Sequence, residues 1–241
     1  MAKNLCSLVL VAILLSMLAP QCAAKDTTAQ ILKQQERYTL SLELEFGRKD
    51  SIGLPRVFSF LNVGTNGYAT GFLVGDGLVM TAYHVVSGDI GDTKKVALGF
   101  RPDDQLDVKI YVSGCQATVI KVDQDADLAL LRICGSQRQT RTPAFQTSLD
   151  KDEQLLLIAR PHGDKMVRRG TLYGSYTLRG QQYWFVKIDG RDGYSGSPVY
   201  NQKAEVVGVF SGYDWSQKLA LVSPATRAQK LLEDYVSSAK P

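Results

Sequence analysis

An all-β fold in two successive groups of strands, with one helix at the C-terminal end, is what this sequence predicts, on three observations. Apolar residues recur at a period of two, as in Tyr38, Leu40, Leu42, Leu44 and Phe46 set against Thr39, Ser41, Glu43 and Glu45, the pattern of a half-buried strand. Short β-rich runs repeat along the chain, most of them separated by glycines or Asp/Asn turns, while helical periodicity is nearly absent. A polar, arginine-bearing stretch from Gly135 to Asp150 divides the runs into two sets. Barrels or sandwiches fit this arrangement, and alternating β-α units do not.

In chain order, Lys3 supplies a charged start, Leu5 to Ala19 an apolar run, and Cys22-Ala23-Ala24 the small residues a signal peptidase needs before Lys25. Residues 1–24 are therefore expected to be a removed signal peptide; a membrane anchor and lipidation at Cys22 are the alternatives, and export is common to all three. Residues 25–54 are expected to form an N-terminal extension, with a short helix over Thr27–Arg37 and the alternating strand Tyr38–Phe46. The first set of strands spans 55–134, with runs at Val57–Val63, Ala69–Val74, Leu78–Ala82, Val96–Phe100, Val108–Val112, Ala117–Val122 and Leu128–Ile133. Residues 135–150 are the linker. The second set lies in 151–241, with runs at Leu155–Ala159, Thr171–Leu178, Tyr183–Ile188, Val206–Phe210 and Leu219–Val222. Ser223 as N-cap and Pro224 at the first helical position open a helix in which Ala228, Leu231, Leu232 and Tyr235 share a face.

Composition narrows the function. The 241 residues are 44% hydrophobic and 22% charged, and 28 Lys+Arg against 24 Asp+Glu leave a net charge of +4, the mixture of an ordinary globular chain. Basic and acidic residues are interleaved, so no nucleic-acid partner is expected, and no apolar run after the N-terminus is long enough for a membrane span in the mature chain. Of four cysteines, Cys6 and Cys22 leave with the signal peptide, and the remaining Cys115 and Cys134 cannot build a four-thiolate metal site. Around the turn Asp123–Ala126, Val122 would face Asp127, and continuing outward sets Cys115 opposite Cys134. Opposed positions of an antiparallel pair meet disulfide distances, so a bridge is predicted, with two buried free thiols as the alternative.

Three residues stand out as candidates for chemistry. The chain has two histidines. His162 lies in the turn-forming Arg160-Pro161-His162-Gly163-Asp164, whereas His84 follows a hairpin at a strand end, where alone it would suit a core histidine as well as a base. Asp127 opens the apolar run Leu128–Ile133; alone it would suit a turn residue bonding nearby amides. Ser195 stands in Gly193-Tyr194-Ser195-Gly196-Ser197-Pro198, where flanking glycines let successive N–H groups point at one spot. Alone this would suit a Gly-Ser hairpin turn. Together the three supply what serine nucleophilic catalysis needs: a nucleophile, a base for its proton and a carboxylate to orient the base. No histidine follows Ser195, which excludes the Ser, Asp, His order of α/β-hydrolases, and the order His84, Asp127, Ser195 is that of two-barrel proteases.

The blocks Thr81-Ala82-Tyr83-His84-Val85-Val86, Asp127-Leu128-Ala129-Leu130-Leu131 and Gly193-Tyr194-Ser195-Gly196-Ser197-Pro198 resemble the three signature blocks of trypsin-like (chymotrypsin-fold) serine proteases. The similarity is closer to bacterial HtrA/Deg-type protease domains without PDZ, and it extends through Ala69-Thr70-Gly71-Phe72 and Leu155 to Gly163. This resemblance implies two six-stranded antiparallel β-barrels with the active site between them. It also implies an exported serine endopeptidase, needing no cofactor or metal and acting on protein or peptide substrates, with the N–H groups of Gly193 and Ser195 as oxyanion hole and Ser211 supporting Asp127. Ser211, Gly212 and Tyr213 would pair with the substrate backbone, Leu219-Ala220-Leu221 and the residues before Gly193 would shape the specificity pocket, and Asp189 could sit at its base and favour Arg or Lys, against which the leucines suggest a shallow apolar pocket. Tyr194 stands where the family usually has Asp or Asn, so activation by a new N-terminus salt-bridged to that residue is not expected, and Ser197 replaces a frequent Gly. A catalytically inactive binding protein on the same scaffold and a serine esterase remain as alternatives. The resemblance carries over no oligomeric state.

Overall fold

The computed structural model describes residues 20–49, 66–134, 142–178 and 180–238, with side chains from residue 28 onward. The expected strand Val57–Val63 lies outside the described residues.

The period-two segments fold into two closed barrels of six antiparallel strands each. The first contains β1 (Thr39–Arg48), β2 (Gly67–Gly75), β3 (Leu78–Thr81), β4 (Leu106–Val112), β5 (Cys115–Asp123) and β6 (Leu128–Arg132), ordered β1-β2-β3-β6-β5-β4 around the ring. It therefore reaches back to Thr39, into the stretch expected to be an extension, because β1 pairs with β2 on one edge and β4 on the other. The alternation read in β1 sets its interior: Leu42, Leu44 and Phe46 are buried with Val79, Ile110 and Leu131.

The run Val96–Phe100 is not a strand. A short helix over Asp92–Ala97 takes its place, with Val96 exposed and Phe100 buried against the first barrel. Asp92 in the first turn suits a helix start, and Gly99 in the left-handed region ends the segment at φ +81°.

The β5–β6 register also differs from expectation. Val122 faces Ala129 rather than Asp127, because the turn runs over Gln124–Asp127, and an irregularity between Val119 and Lys121 recovers one place. Cys115 and Cys134 still meet, with Cα atoms 6.0 Å apart, a separation a disulfide spans.

The second barrel contains β7 (Gln154–Ala159), β8 (Met166–Leu178), β9 (Gln181–Val186), β10 (Pro198–Tyr200), β11 (Val206–Asp214) and β12 (Leu219–Pro224), ordered β10-β11-β12-β9-β8-β7. The end of the linker docks on it, with Val206 donating to the Ala144 carbonyl and Gln146 to that of Val206. Two helices, α1 (Pro20–Gln35) and α2 (Ala225–Ser238), pack behind the barrels. The first covers most of the predicted Thr27–Arg37 and begins before the expected cleavage point; the second is the predicted C-terminal helix. Ser223 is not its cap: it belongs to β12, and its hydroxyl donates to the Ala126 carbonyl at 2.5 Å.

A buried cluster joins all of these parts. Ile31 of α1, Phe72 and Leu130 of the first barrel, Ile158 and Val209 of the second, and Ala228 and Leu231 of α2 lie in one contiguous apolar core. The cleft between the barrels is thereby backed by packed side chains, which fixes the loops on its open side.

Candidate active site

His84, Asp127 and Ser195, more than forty positions apart along the chain, come together at the mouth of that cleft. His84 sits in a single helical turn after β3, whose first residue, Tyr83, donates its N–H to the Asp127 carbonyl at 3.1 Å. Asp127 lies in the turn before β6 rather than on the strand, with φ +53°. One oxygen of its carboxylate accepts the His84 backbone N–H at 2.8 Å, and the other meets His84 Nδ1 at 2.9 Å. The Ser211 hydroxyl donates to that second oxygen. A carboxylate only accepts, so Nδ1 carries the proton and Nε2 is left to accept from the Ser195 hydroxyl, 2.7 Å away. Asp127 is largely shielded, its side chain 17% exposed, while that of His84 is 41% exposed and open to the cleft. The arrangement can withdraw a proton from Ser195 and stabilise the imidazolium that results.

The loop carrying Ser195 is tied by its carbonyls. Gly193, at φ +85°, turns its C=O to the Thr70 hydroxyl at 2.8 Å; the Tyr194 carbonyl accepts from the Ser197 N–H at 2.9 Å; the Ser195 carbonyl accepts from the Thr70 N–H at 2.9 Å. With three successive carbonyls bound away from the cleft, the N–H groups of Gly193 and Ser195 donate to no protein acceptor among the described residues. Two free donors beside a nucleophile are what a developing oxyanion requires.

Tyr194 immediately precedes Ser195. It is fully buried in the second barrel, edge-on to Phe210 at 6.2 Å, with the Arg168 guanidinium 5.7 Å from its ring centre.

A cleft of about 230 Å³ in front of Ser195 is lined by His84, Tyr68, Gly193, Ser211, Tyr213 and Trp215, among others. Beyond Phe210, which is bonded to Ser197 and Gly196, β11 has no strand partner on the β10 side among the described residues, so Ser211, Gly212 and Tyr213 present a strand edge there. Ala220 is fully buried, paired with Tyr213 and with Val186.

The expected role of Asp189 is not matched. Its side chain is 53% exposed, paired with Arg191 at 3.6 Å, and absent from the lining of the cleft. The reason is Tyr213, whose ring lies so close to Gly190 that a Cβ there would sit 2.7 Å from it. The ring itself lines the cleft.

Three features escaped the sequence reading. The Thr70 hydroxyl lies in the Ala69-Thr70-Gly71-Phe72 block, where nothing marked the side chain itself. The ring of Tyr213 could have been suspected from its size, two places after Ser211. A second cavity of about 450 Å³ opens on the far side of the imidazole, lined by Tyr83, Asp89, Asp125, Asp127, Tyr183 and Leu221, among others. Burial, and behind it the charges of Asp127 and Asp123, raise the Tyr183 phenol above its ordinary value. It stays a donor, bound to the Asp125 carbonyl at 2.6 Å.

The family model for the trypsin-like peptidase domain matches residues 69–209, more than half of the chain. The chain belongs to the trypsin-like peptidase family. Among curated relatives of this trypsin-like peptidase is a probable periplasmic serine endoprotease DegP-like from Pseudomonas putida, 30% identical over 148 residues. That alignment covers 59% of this chain and 28% of the relative. A second protein of the same name, from Pseudomonas savastanoi pv. phaseolicola, is 30% identical over 153 residues, covering 61% of this chain and 29% of its own. The trypsin-like peptidase thus spans under a third of the length of the curated relatives it matches. In fold it is similar to the active form of the Rv3671c protease from M. tuberculosis, with TM-score 0.61 at 17% identity over 84% of this chain and 82% of that one. It is also similar to Deg5, with TM-score 0.59 at 16% identity over 86% and 92%. Among the described residues no helix is long and apolar enough to cross a membrane.

Proposed function

We propose that this trypsin-like peptidase is an exported serine endopeptidase. The observation that carries the reading is the relay of hydrogen bonds from Asp127 through His84 to Ser195, closed on its far side by Ser211. Ser195 Oγ attacks the peptide carbonyl while His84 Nε2 takes its proton, and the carbonyl oxygen, now negative, is held by the N–H groups of Gly193 and Ser195. His84 returns the proton to the leaving amine, which departs and leaves an acyl-enzyme at Ser195. A water deprotonated by His84 then releases the acid. The periplasmic names of the relatives support export, as does the signal-like N-terminus; in an oxidising compartment Cys115 and Cys134 form a disulfide.

The test is a fluorophosphonate probe on the purified protein, read by intact mass, with Ser195→Ala as control. One label per wild-type chain and none on the variant is the expected result. A folded wild type that takes no label overturns the reading, and the same spectra with and without reductant report the disulfide.

The first specificity pocket accepts a small apolar side chain. Tyr213 over Gly190 closes off the deep slot, and Asp189 is engaged with Arg191 outside it. Peptides with Ala or Val before the scissile bond are expected to be cut faster than those with Arg or Phe. Tyr213→Gly should shift kcat/KM toward the larger residues by ~10- to 200-fold relative to Ala, the range a pocket contact of one or a few carbons decides. An unchanged ratio in a matched peptide series would remove Tyr213 from that role.

A further inference from the structure

We infer that Thr70 is a positioning residue for the oxyanion-binding loop, its side-chain hydroxyl locking the Gly193 carbonyl out of the cleft; the inference rests on the reading of this site as a serine peptidase. Thr70 is fully buried on β2, in the first barrel, and reaches across to the second. Four hydrogen bonds meet on it. Its N–H donates to the Ser195 carbonyl at 2.9 Å, and its carbonyl accepts from the Thr81 hydroxyl at 2.8 Å. Its hydroxyl accepts from the Arg160 N–H at 3.0 Å and donates to the Gly193 carbonyl at 2.8 Å.

The last two bonds have a fixed sense. An amide N–H can only donate, so the oxygen of Thr70 is the acceptor toward Arg160, and its single hydrogen is committed to Gly193. The peptide between Gly193 and Tyr194 is then held at both ends, since the Tyr194 N–H donates to the Arg191 carbonyl at 3.1 Å. Glycine has no side chain to confine its backbone, so the bulk of the residue cannot keep this carbonyl pointed away. Turned toward the cleft, it would set an acceptor beside the Gly193 and Ser195 N–H groups and pull the Tyr194 N–H, which shares its peptide, off the Arg191 carbonyl, loosening the turn that carries the Gly193 N–H. The Gly193–Tyr194 peptide thus lies between the two donors, and the Thr70 hydroxyl is the side-chain group that holds its carbonyl outward.

The bond also spans the two barrels, so their docking and the set of the loop are coupled. Arg160, on the second barrel, is anchored in turn to the segment before β1, its guanidinium donating to the Glu36 carbonyl at 3.3 Å.

The experiment compares T70V, which keeps the shape and removes the hydroxyl, with T70S, which keeps the hydroxyl. For T70V, kcat on a peptide substrate is expected to fall ~10- to 100-fold, below the cost of deleting an oxyanion donor outright, with KM within about twofold and the folded state retained by thermal melt. T70S is expected to recover most of kcat. Crystal structures of both variants supply a readout that needs no activity: the Gly193 carbonyl should be rotated in T70V and in place in T70S. A T70V kcat within twofold of wild type, an equal loss in T70S, or a Gly193 carbonyl unmoved in T70V each overturns the inference. If wild type takes no fluorophosphonate while the T70V structure shows the rotated carbonyl, the peptidase reading fails and the role of Thr70 in setting the loop stands.

Discussion

His84→Ala is expected to lower kcat on a peptide substrate by about 10⁵- to 10⁶-fold with little change in melting temperature. The imidazole is the only side chain at hydrogen-bond distance from Ser195 Oγ among the described residues, at 2.7 Å. Without it the hydroxyl has no acceptor for its proton at the moment of attack. The side chain is partly exposed to the cleft and fills no part of the apolar core, so its truncation opens no buried cavity. Asp127→Ala should cost less in rate, about 10⁴-fold. It should cost more in stability, because that carboxylate also accepts the His84 backbone N–H and the Ser211 hydroxyl. Steady-state kinetics and thermal melts of the two variants read both orderings. An His84→Ala enzyme within tenfold of wild type would dismiss the assignment of the base.

The largest effect on stability is expected from Gly196→Ala. The backbone there has φ +84°, and an added Cβ would lie 2.1 Å from both the Thr70 carbonyl oxygen and the Thr81 hydroxyl. Neither can retreat: the carbonyl belongs to β2, and the hydroxyl is bound to that same carbonyl. A left-handed conformation forced on alanine and a collision with backbone act together, giving a loss of about 4 kcal/mol or more. For a chain of this size that lowers Tm by roughly 10 °C. The displaced strand carries Thr70, so probe labelling at Ser195 should fall in parallel with the melt. A variant that melts within 2 °C of wild type would show that the loop has room the structure does not give it.

What the sequence made legible follows from which forces act locally. Period-two alternation records burial on one face of β1, and short apolar runs bounded by turn residues mark β2, β7 and β12 within a few residues. The helix over Asp92–Ala97 was mistaken for a strand because Val96 and Phe100 suggest β structure by type; only the tertiary arrangement shows Val96 in solvent and Phe100 inside. The pairing of Cys115 with Cys134 is expected from a count that takes the ladder as unbroken, and the irregularity after Val119 is invisible without the partner strand. His84, Asp127 and Ser195 stand out as candidates because serine chemistry needs those residue types in the order the chain presents them, whereas Ser211 enters only through the resemblance to trypsin-like proteases. Asp189 failed for the opposite reason: its expected role depends on a neighbour 24 positions on, Tyr213, whose ring decides whether a pocket exists above Gly190. Thr70 was hidden similarly, since its partners Arg160 and Gly193 lie 90 and 123 positions away.

The apolar core shared by both barrels and both helices bears on when this chain can act. His84 and Asp127 come from one barrel and Ser195 from the other, and neither half can bury its share of Phe72, Leu130, Ile158 and Val209 without the opposite half and α2. A chain still in extended form holds every one of these residues and no assembled site until α2 has docked.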